Sequence, residues 1–244
     1  LTDDERQYFA TTEQVALSLA DHVIVTSATT RRTLINEFAV PDTSITVAEP
    51  GTDPAQRATG TGTPMQLLCV GTITPRKGYD ILVEALEPRK DLDWRLTNAG
   101  PDDRDAETTT ALRSQINALG LHDRITLSGV VVPATLDRFY ESADIFVMPS
   151  LYEGYGMVLG EAMARGLSII CTTGGAAAET VPEGAAVKIA PGNVDDLTRA
   201  LRNLLTDRKQ RIRLADAAWE AGRKLPTWNE TARRVAAVLM GLKA

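Results

Sequence analysis

From Met65 onward, short apolar runs at 66–70, 94–99, 124–128, 145–148, 168–171 and 186–189 alternate with helix-period stretches at 78–87, 105–119, 134–142, 157–165 and 176–181. Each strand in such an alternation returns to the same edge through a crossover helix, so the strands lie parallel in one sheet. The runs are apolar at nearly every position, not at every second one, as befits strands covered by helices on both faces. After Pro191-Gly192-Asn193 the chain turns helical, with segments at 194–206, 208–222 and 227–242. The fold class read from this pattern is α/β. Ligands in open sheets of this kind sit beyond the C-terminal ends of the strands, which directs attention to the turns where strands become helices.

The residues before this alternation read differently. Positions 2–20 are polar, with apolar residues at Phe9, Val15, Ala16, Leu19 and Ala20 that predict one amphipathic helix. A short strand over 22–26, a helix from an N-cap at Ser27 to Phe38 and a second short strand over 44–48 follow. Residues 49–62 are rich in Pro, Gly, Thr and Asp and lack apolar periodicity, which makes them the best linker. A chain that opens at Leu1 rather than Met is expected to be a trimmed or cleaved product.

Two turns carry the chemistry. In the stretch 149–166, an apolar strand runs through Pro149 and Ser150 into a loop holding Glu153, Gly154, Tyr155 and Gly156. A helix then begins at Met157 and Val158 and carries Glu161 about one turn in, with Gly166 as its stop. Glycines at 154 and 156 let backbone N–H groups at the helix start face a bound anion directly. Carboxylates flanking such a site suit sugar hydroxyls rather than phosphates. The second turn, 71–78, places Arg76 and Lys77 between Gly71 and Gly78 at the opening of the first helix, where the pair can neutralise a diphosphate. Further strand ends at Gly100 and at Gly129-Val130-Val131 point to the same edge, with ligand contact and plain turn chemistry both open.

The string Glu-Gly-Tyr-Gly followed by Glu161-Ala-Met-Ala-Arg-Gly resembles the E-x7-E pattern of retaining nucleotide-sugar glycosyltransferases of the GT-B fold, group 1 or family 4. The turn at 71–78 is similar to that family's G-R-x-x-x-x-K-G loop, with Thr72 where the family has Arg; Arg76 is expected to supply the missing charge. The resemblance covers about residues 20–240. It implies a Rossmann-like donor domain over 53–226, preceded at 1–52 by the last elements of an N-terminal acceptor domain and followed at 227–244 by a crossover helix. In that reading Lys77, Arg76 and Glu153 are the catalytic residues. Gly71, Gly100, Val131, Gly154, Tyr155, Gly156, Met157, Val158 and Glu161 line the donor site, with Val131 at the base and Glu161 at the ribose. A Gly-Gly-x-x-Glu run at Gly174, Gly175 and Glu179 is expected to line the same cleft. The resemblance implies a UDP-, GDP- or ADP-sugar as donor and a lipid or glycan hydroxyl as acceptor. It implies no metal, because Arg and Lys serve as the electrostatic clamp.

Composition narrows the alternatives. With 26 basic against 32 acidic residues and a net charge of −6, nucleic acid is not an expected partner. Cys69 and Cys171 sit in apolar strands without metal-ligand neighbours and read as buried thiols of a reducing, cytoplasmic compartment. No run approaches the about 18 apolar residues of a membrane span, so any association with the inner face of a membrane would be peripheral. The acidic run Asp102, Asp103 and Asp105 reads as an exposed cap rather than a metal site, and His22 as a structural residue. Trp219 and Trp228 are expected to be apolar anchors, and the arginines between 199 and 213 a solvated helix face. The competing functional reading is a nucleotide-sugar binding module without activity of its own. A GT-B epimerase lacks the acid and base residues it would need, and a dinucleotide oxidoreductase lacks G-x-G-x-x-G at the first turn.

Overall fold

The computed structural model describes residues 2–242, which form two compact units. The smaller unit comprises the described residues up to Gly51 and those from Pro226 onward. It contains α1 (Asp3–Ser18), β1 (Val23–Val25), α2 (Ala28–Phe38) and β2 (Ile45–Val47), with β1 and β2 paired in parallel. Ser27 caps α2 by accepting from the Thr30 N–H, and His22 bridges the two strands through a 2.9 Å hydrogen bond to Thr46. The core of this unit is Val25, Leu34, Val40 and Ile45. The amphipathic reading of residues 2–20 is corrected here. The helix forms, held by a Thr2–Glu5 capping box, but none of its residues is buried, and Phe9, Val15 and Leu19 are all exposed.

The larger unit, Thr52–Leu225, is an α/β sandwich. In chain order it contains β3 (Met65–Val70), α3 (Tyr79–Leu86), β4 (Trp94–Ala99), α4 (Ala106–Ala118), β5 (Ile125–Leu127), α5 (Pro133–Ser142), β6 (Ile145–Met148), α6 (Met157–Ala164), β7 (Ser168–Thr172), α7 (Ala177–Thr180), β8 (Ala186–Ile189), α8 (Val194–Thr206) and α9 (Arg208–Gly222). A last helix, α10 (Trp228–Gly241), belongs to the smaller unit. Trp228 opens α10 and is 46% exposed.

All six strands of the larger sheet are parallel, in the order β5-β4-β3-β6-β7-β8. One helical layer covers the face of Leu67, Trp94, Leu96, Ile145 and Ile170, and another covers that of Leu68, Phe146, Ile169 and Cys171. Burial on both sides explains why the strands carry so little alternation. The winding reverses between β3 and β6, paired at Leu67–Ile145 and Leu68–Phe146. Turns leaving adjacent strands at such a reversal diverge to opposite faces and leave a crevice at the C-terminal edge. Here those turns are 71–78 and 149–156.

The sheet edge below that crevice tolerates no side chain at Gly100. Its φ is +150°, and an added Cβ would lie 2.3 Å from the Gly71 carbonyl oxygen. Gly100→Ala is expected to lower unfolding free energy by about 1–3 kcal/mol. Gly154→Ala, with nothing within 4 Å of its Cβ, should stay within about 0.5 kcal/mol of the parent. Urea titrations of both variants check the contrast.

Candidate functional site

The two turns at the winding reversal are stitched together through their backbones. Gly78 takes a left-handed conformation at the start of α3, where a Cβ would come within 2.4 Å of the Pro149 carbonyl. The Leu151 N–H donates to the Arg76 carbonyl at 2.8 Å, and the Arg76 guanidinium donates to the Tyr152 carbonyl. From the β7 side, the Glu153 N–H donates to Gly174 and the Glu153 carbonyl accepts from the Ala176 N–H at 2.8 Å. A Cβ at Gly174 would lie 2.2 Å from the Leu151 carbonyl, and one at Gly175 2.2 Å from that of Glu153. The glycine pair thus has a packing duty, since it admits the loop carrying Glu153.

These contacts converge on one carboxylate. Lys77 Nζ lies 2.6 Å from Glu153 Oε1 and Arg76 Nη1 lies 3.3 Å from the same oxygen. Glu153 is buried, Lys77 is nearly so, and Arg76 is half exposed. Burial pushes the Glu153 carboxyl up, but the hydrogen bond and charge of Lys77, with the Arg76 charge, outweigh it and hold its pKa below the ordinary value. The carboxylate is therefore ionised at neutral pH, and two cations meet on it in the loop that leads into α6. Gly156, at φ +86°, starts that helix. The N–H groups of Met157 and Val158 lie in its first turn, where no intrahelical acceptor exists. Anions are stabilised at such an end.

The other expected site residues lie in the surrounding turns and along α6, not all of them in contact with this cluster. Gly71 approaches it directly, since a Cβ there would be 3.3 Å from Lys77 Cε, and Gly100 packs on Gly71. Val131 is half-buried in the turn before α5, between the exposed Val130 and Val132. Tyr155 is buried, and its carbonyl accepts from Thr180. Glu161, half-buried, stands about 6 Å along α6 from Met157 in a second cluster, where Tyr140 Oη donates to its Oε2 at 2.7 Å. A cavity of about 780 Å³ opens on the α4 side of the cationic turn between Thr74, Tyr79, Leu112 and Leu151. Lys77, Glu153 and Glu161 are not among its lining residues.

Asp102 pairs with Arg113 at 2.6 Å, and Asp105 caps α4 by accepting from the Thr108 N–H. Both cysteines are buried thiols; burial raises both, pushing Cys171 up to about 12. One partner escaped the sequence reading: Tyr140 reaches Glu161 from a different helix. No sequence spacing pairs residues 140 and 161, although a tyrosine in the helix before the loop was there to be noticed.

A sequence model described as "Glycosyl transferases group 1" matches residues 54–221. The chain is 28% identical over 182 residues to mannosylfructose-phosphate synthase of Agrobacterium fabrum, covering 72% of this chain and 40% of that protein. It is 29% identical over 245 residues to a GDP-mannose-dependent alpha-(1-6)-phosphatidylinositol monomannoside mannosyltransferase of Mycobacterium tuberculosis, covering 91% and 62%. The chain therefore spans about half the length of these relatives. Among solved structures, the sucrose-phosphate synthase of Thermosynechococcus elongatus superposes with a TM-score of 0.84 at 25% identity, over 96% of this chain and 61% of that one. Anabaena HepE in complex with UDP-glucose superposes with a TM-score of 0.85 at 21% identity, over 96% and 68%.

The ion cluster has a pH signature. Because the folded state depresses the Glu153 pKa, its stabilisation is present above the unfolded carboxyl's value and lost as pH falls through the folded one. The melting-temperature advantage of the parent over Glu153→Gln should be full at about pH 6 and shrink toward about pH 3.5. Scanning calorimetry across that range checks the sign.

Proposed function

The chain belongs to the group 1 glycosyl transferases, and from that premise we propose that its larger unit holds a nucleoside-diphosphate sugar and presents it for transfer to an acceptor hydroxyl with retention at the anomeric carbon. The observation that carries the proposal is the meeting of Lys77 and Arg76 on Glu153 in the loop that leads into α6, at the crevice where the sheet winding reverses. A diphosphate there would draw the two cations toward itself, and its charge grows as the bond to the sugar breaks. Cations and N–H groups already in place stabilise that growing charge without reorganising, so they lower the barrier and not merely the ground state. Arg76 does this in place of an arginine at position 72.

Released from part of its ion pairing, Glu153 accepts hydrogen bonds from hydroxyls of the transferred sugar with the oxygens so freed. This makes it a positioning group, with the leaving phosphate taking the acceptor's proton on the same face. The N–H groups of Gly156, Met157 and Val158 complete the cradle. Glu161 accepts from the ribose hydroxyls, and Val131 lies along the base. The relatives' names support a UDP- or GDP-sugar, with ADP-sugars in the same chemical class. The acceptor hydroxyl, on a lipid or a glycan, belongs to the part of the reaction for which the larger unit supplies one wall. No described helix is long and apolar enough to cross a membrane.

Glu161→Ala should weaken nucleotide-sugar binding about tenfold or more, and Lys77→Ala should cut turnover about a hundredfold or more, the scale of a lost oxyanion donor. Calorimetry against UDP-, GDP- and ADP-sugars with a donor-hydrolysis assay reads both effects. Parent-like binding and turnover in both variants would sink the assignment. Tight binding by the parent without any turnover would instead identify a nucleotide-sugar binding module.

A further inference from the structure

The Glu161 carboxylate is held from below by a side chain that has no place in the transfer chemistry. Tyr140 is fully buried near the end of α5. Its ring is stacked on Phe146, with centroids 5.9 Å apart and planes 18° apart, and the Arg165 guanidinium lies 4.4 Å from its centroid. Arg165 is itself fixed by Asp137 at 2.6 Å and donates to the Glu161 carbonyl at 3.3 Å. The ring therefore has one orientation, and its hydroxyl donates to Glu161 Oε2 at 2.7 Å. Burial first, and then the adjacent Glu161 charge, raise the phenol well above its usual range, so it remains protonated and can only be the donor in this bond.

We propose that Tyr140 is a positioning residue that fixes the Glu161 carboxylate for the two ribose hydroxyls and so sets a preference for ribonucleotides over their deoxy counterparts. The inference rests on the proposed role of Glu161. A glutamate side chain left to itself samples several rotamers, and freezing it on binding costs affinity. With Oε2 anchored to a buried phenol, the rest of the carboxylate's acceptor capacity is aimed before the ligand arrives. A site built to bond a hydroxyl discriminates against ligands that lack it, because the protein acceptor is then left unpaired. The clamp of Phe146, Arg165 and Asp137 extends that organisation through two helices and a strand to the sheet.

The test is calorimetric titration of the parent, Tyr140→Phe, Glu161→Ala and the double variant with UDP, GDP and ADP and with their 2′,3′-dideoxy counterparts. The parent is expected to bind at least one ribonucleotide about tenfold tighter than its dideoxy form. Tyr140→Phe should pull that ratio several-fold toward one while leaving dideoxy binding nearly unchanged, and it should have no further effect in the Glu161→Ala background. A purely structural role would weaken both ligands alike and leave the ratio intact. An unchanged ratio in Tyr140→Phe, a ratio near one in the parent, or an effect that persists without Glu161 would overturn the inference while leaving nucleotide binding standing. Absence of any nucleotide binding by the parent would overturn the proposed function itself, and this inference with it.

Discussion

The contact on which the site depends is the buried meeting of one carboxylate with two cations. Glu153 could not remain ionised at its depth without Lys77 at 2.6 Å and Arg76 at 3.3 Å. In turn, the pair of cations would repel one another across a narrow turn without Glu153 between them. Breaking such a buried pair from one side generally costs about 3–5 kcal/mol, because a charge is left unanswered. The arrangement is thus mutually enforced, and it leaves positive charge beside a helix N-terminus.

Backbone proximity builds the frame around that charge. At Gly100 against Gly71, at Gly78 against Pro149, and at Gly174 and Gly175 against Leu151 and Glu153, a Cβ would come closer to carbonyl backbone than real atoms approach. Each contact draws the turn of one strand onto that of its neighbour. Four turns, from β3, β4, β6 and β7, become one rim, although they are far apart in the chain. Loops pinned in this way can hold Lys77 and Glu153 to one geometry, which a transition-state clamp requires.

The sequence made much of this legible where local physics decides. Strands buried on both faces announce themselves as apolar runs, and β4, β6 and β8 have the expected bounds; the others differ by a residue or two at their ends. Ser27 caps the helix it was expected to start. Long-range contact was harder to read. Gly174 and Gly175 each admit a backbone carbonyl, of Leu151 and of Glu153, and the residues alone do not say which backbone comes close. The apolar stripe read for α1 lies exposed, while Leu17 outside it packs half-buried on the core of the smaller unit, since periodicity reports a face and not its partner. The pairing of Tyr140 with Glu161 depends on α5 and α6 meeting in the core cluster that holds Phe146, which neither residue's neighbours foretell.

The central claim is that the cationic turn and the E-x7-E loop form a single seat for a diphosphate. A crystal structure of the chain with a bound nucleoside diphosphate tests it most directly. The account predicts phosphate oxygens within hydrogen-bonding distance of Lys77 Nζ, Arg76 and the first N–H groups of α6, with Glu161 at the ribose. A diphosphate seated elsewhere on the sheet edge, with Lys77 and Arg76 still closed on Glu153, would contradict it.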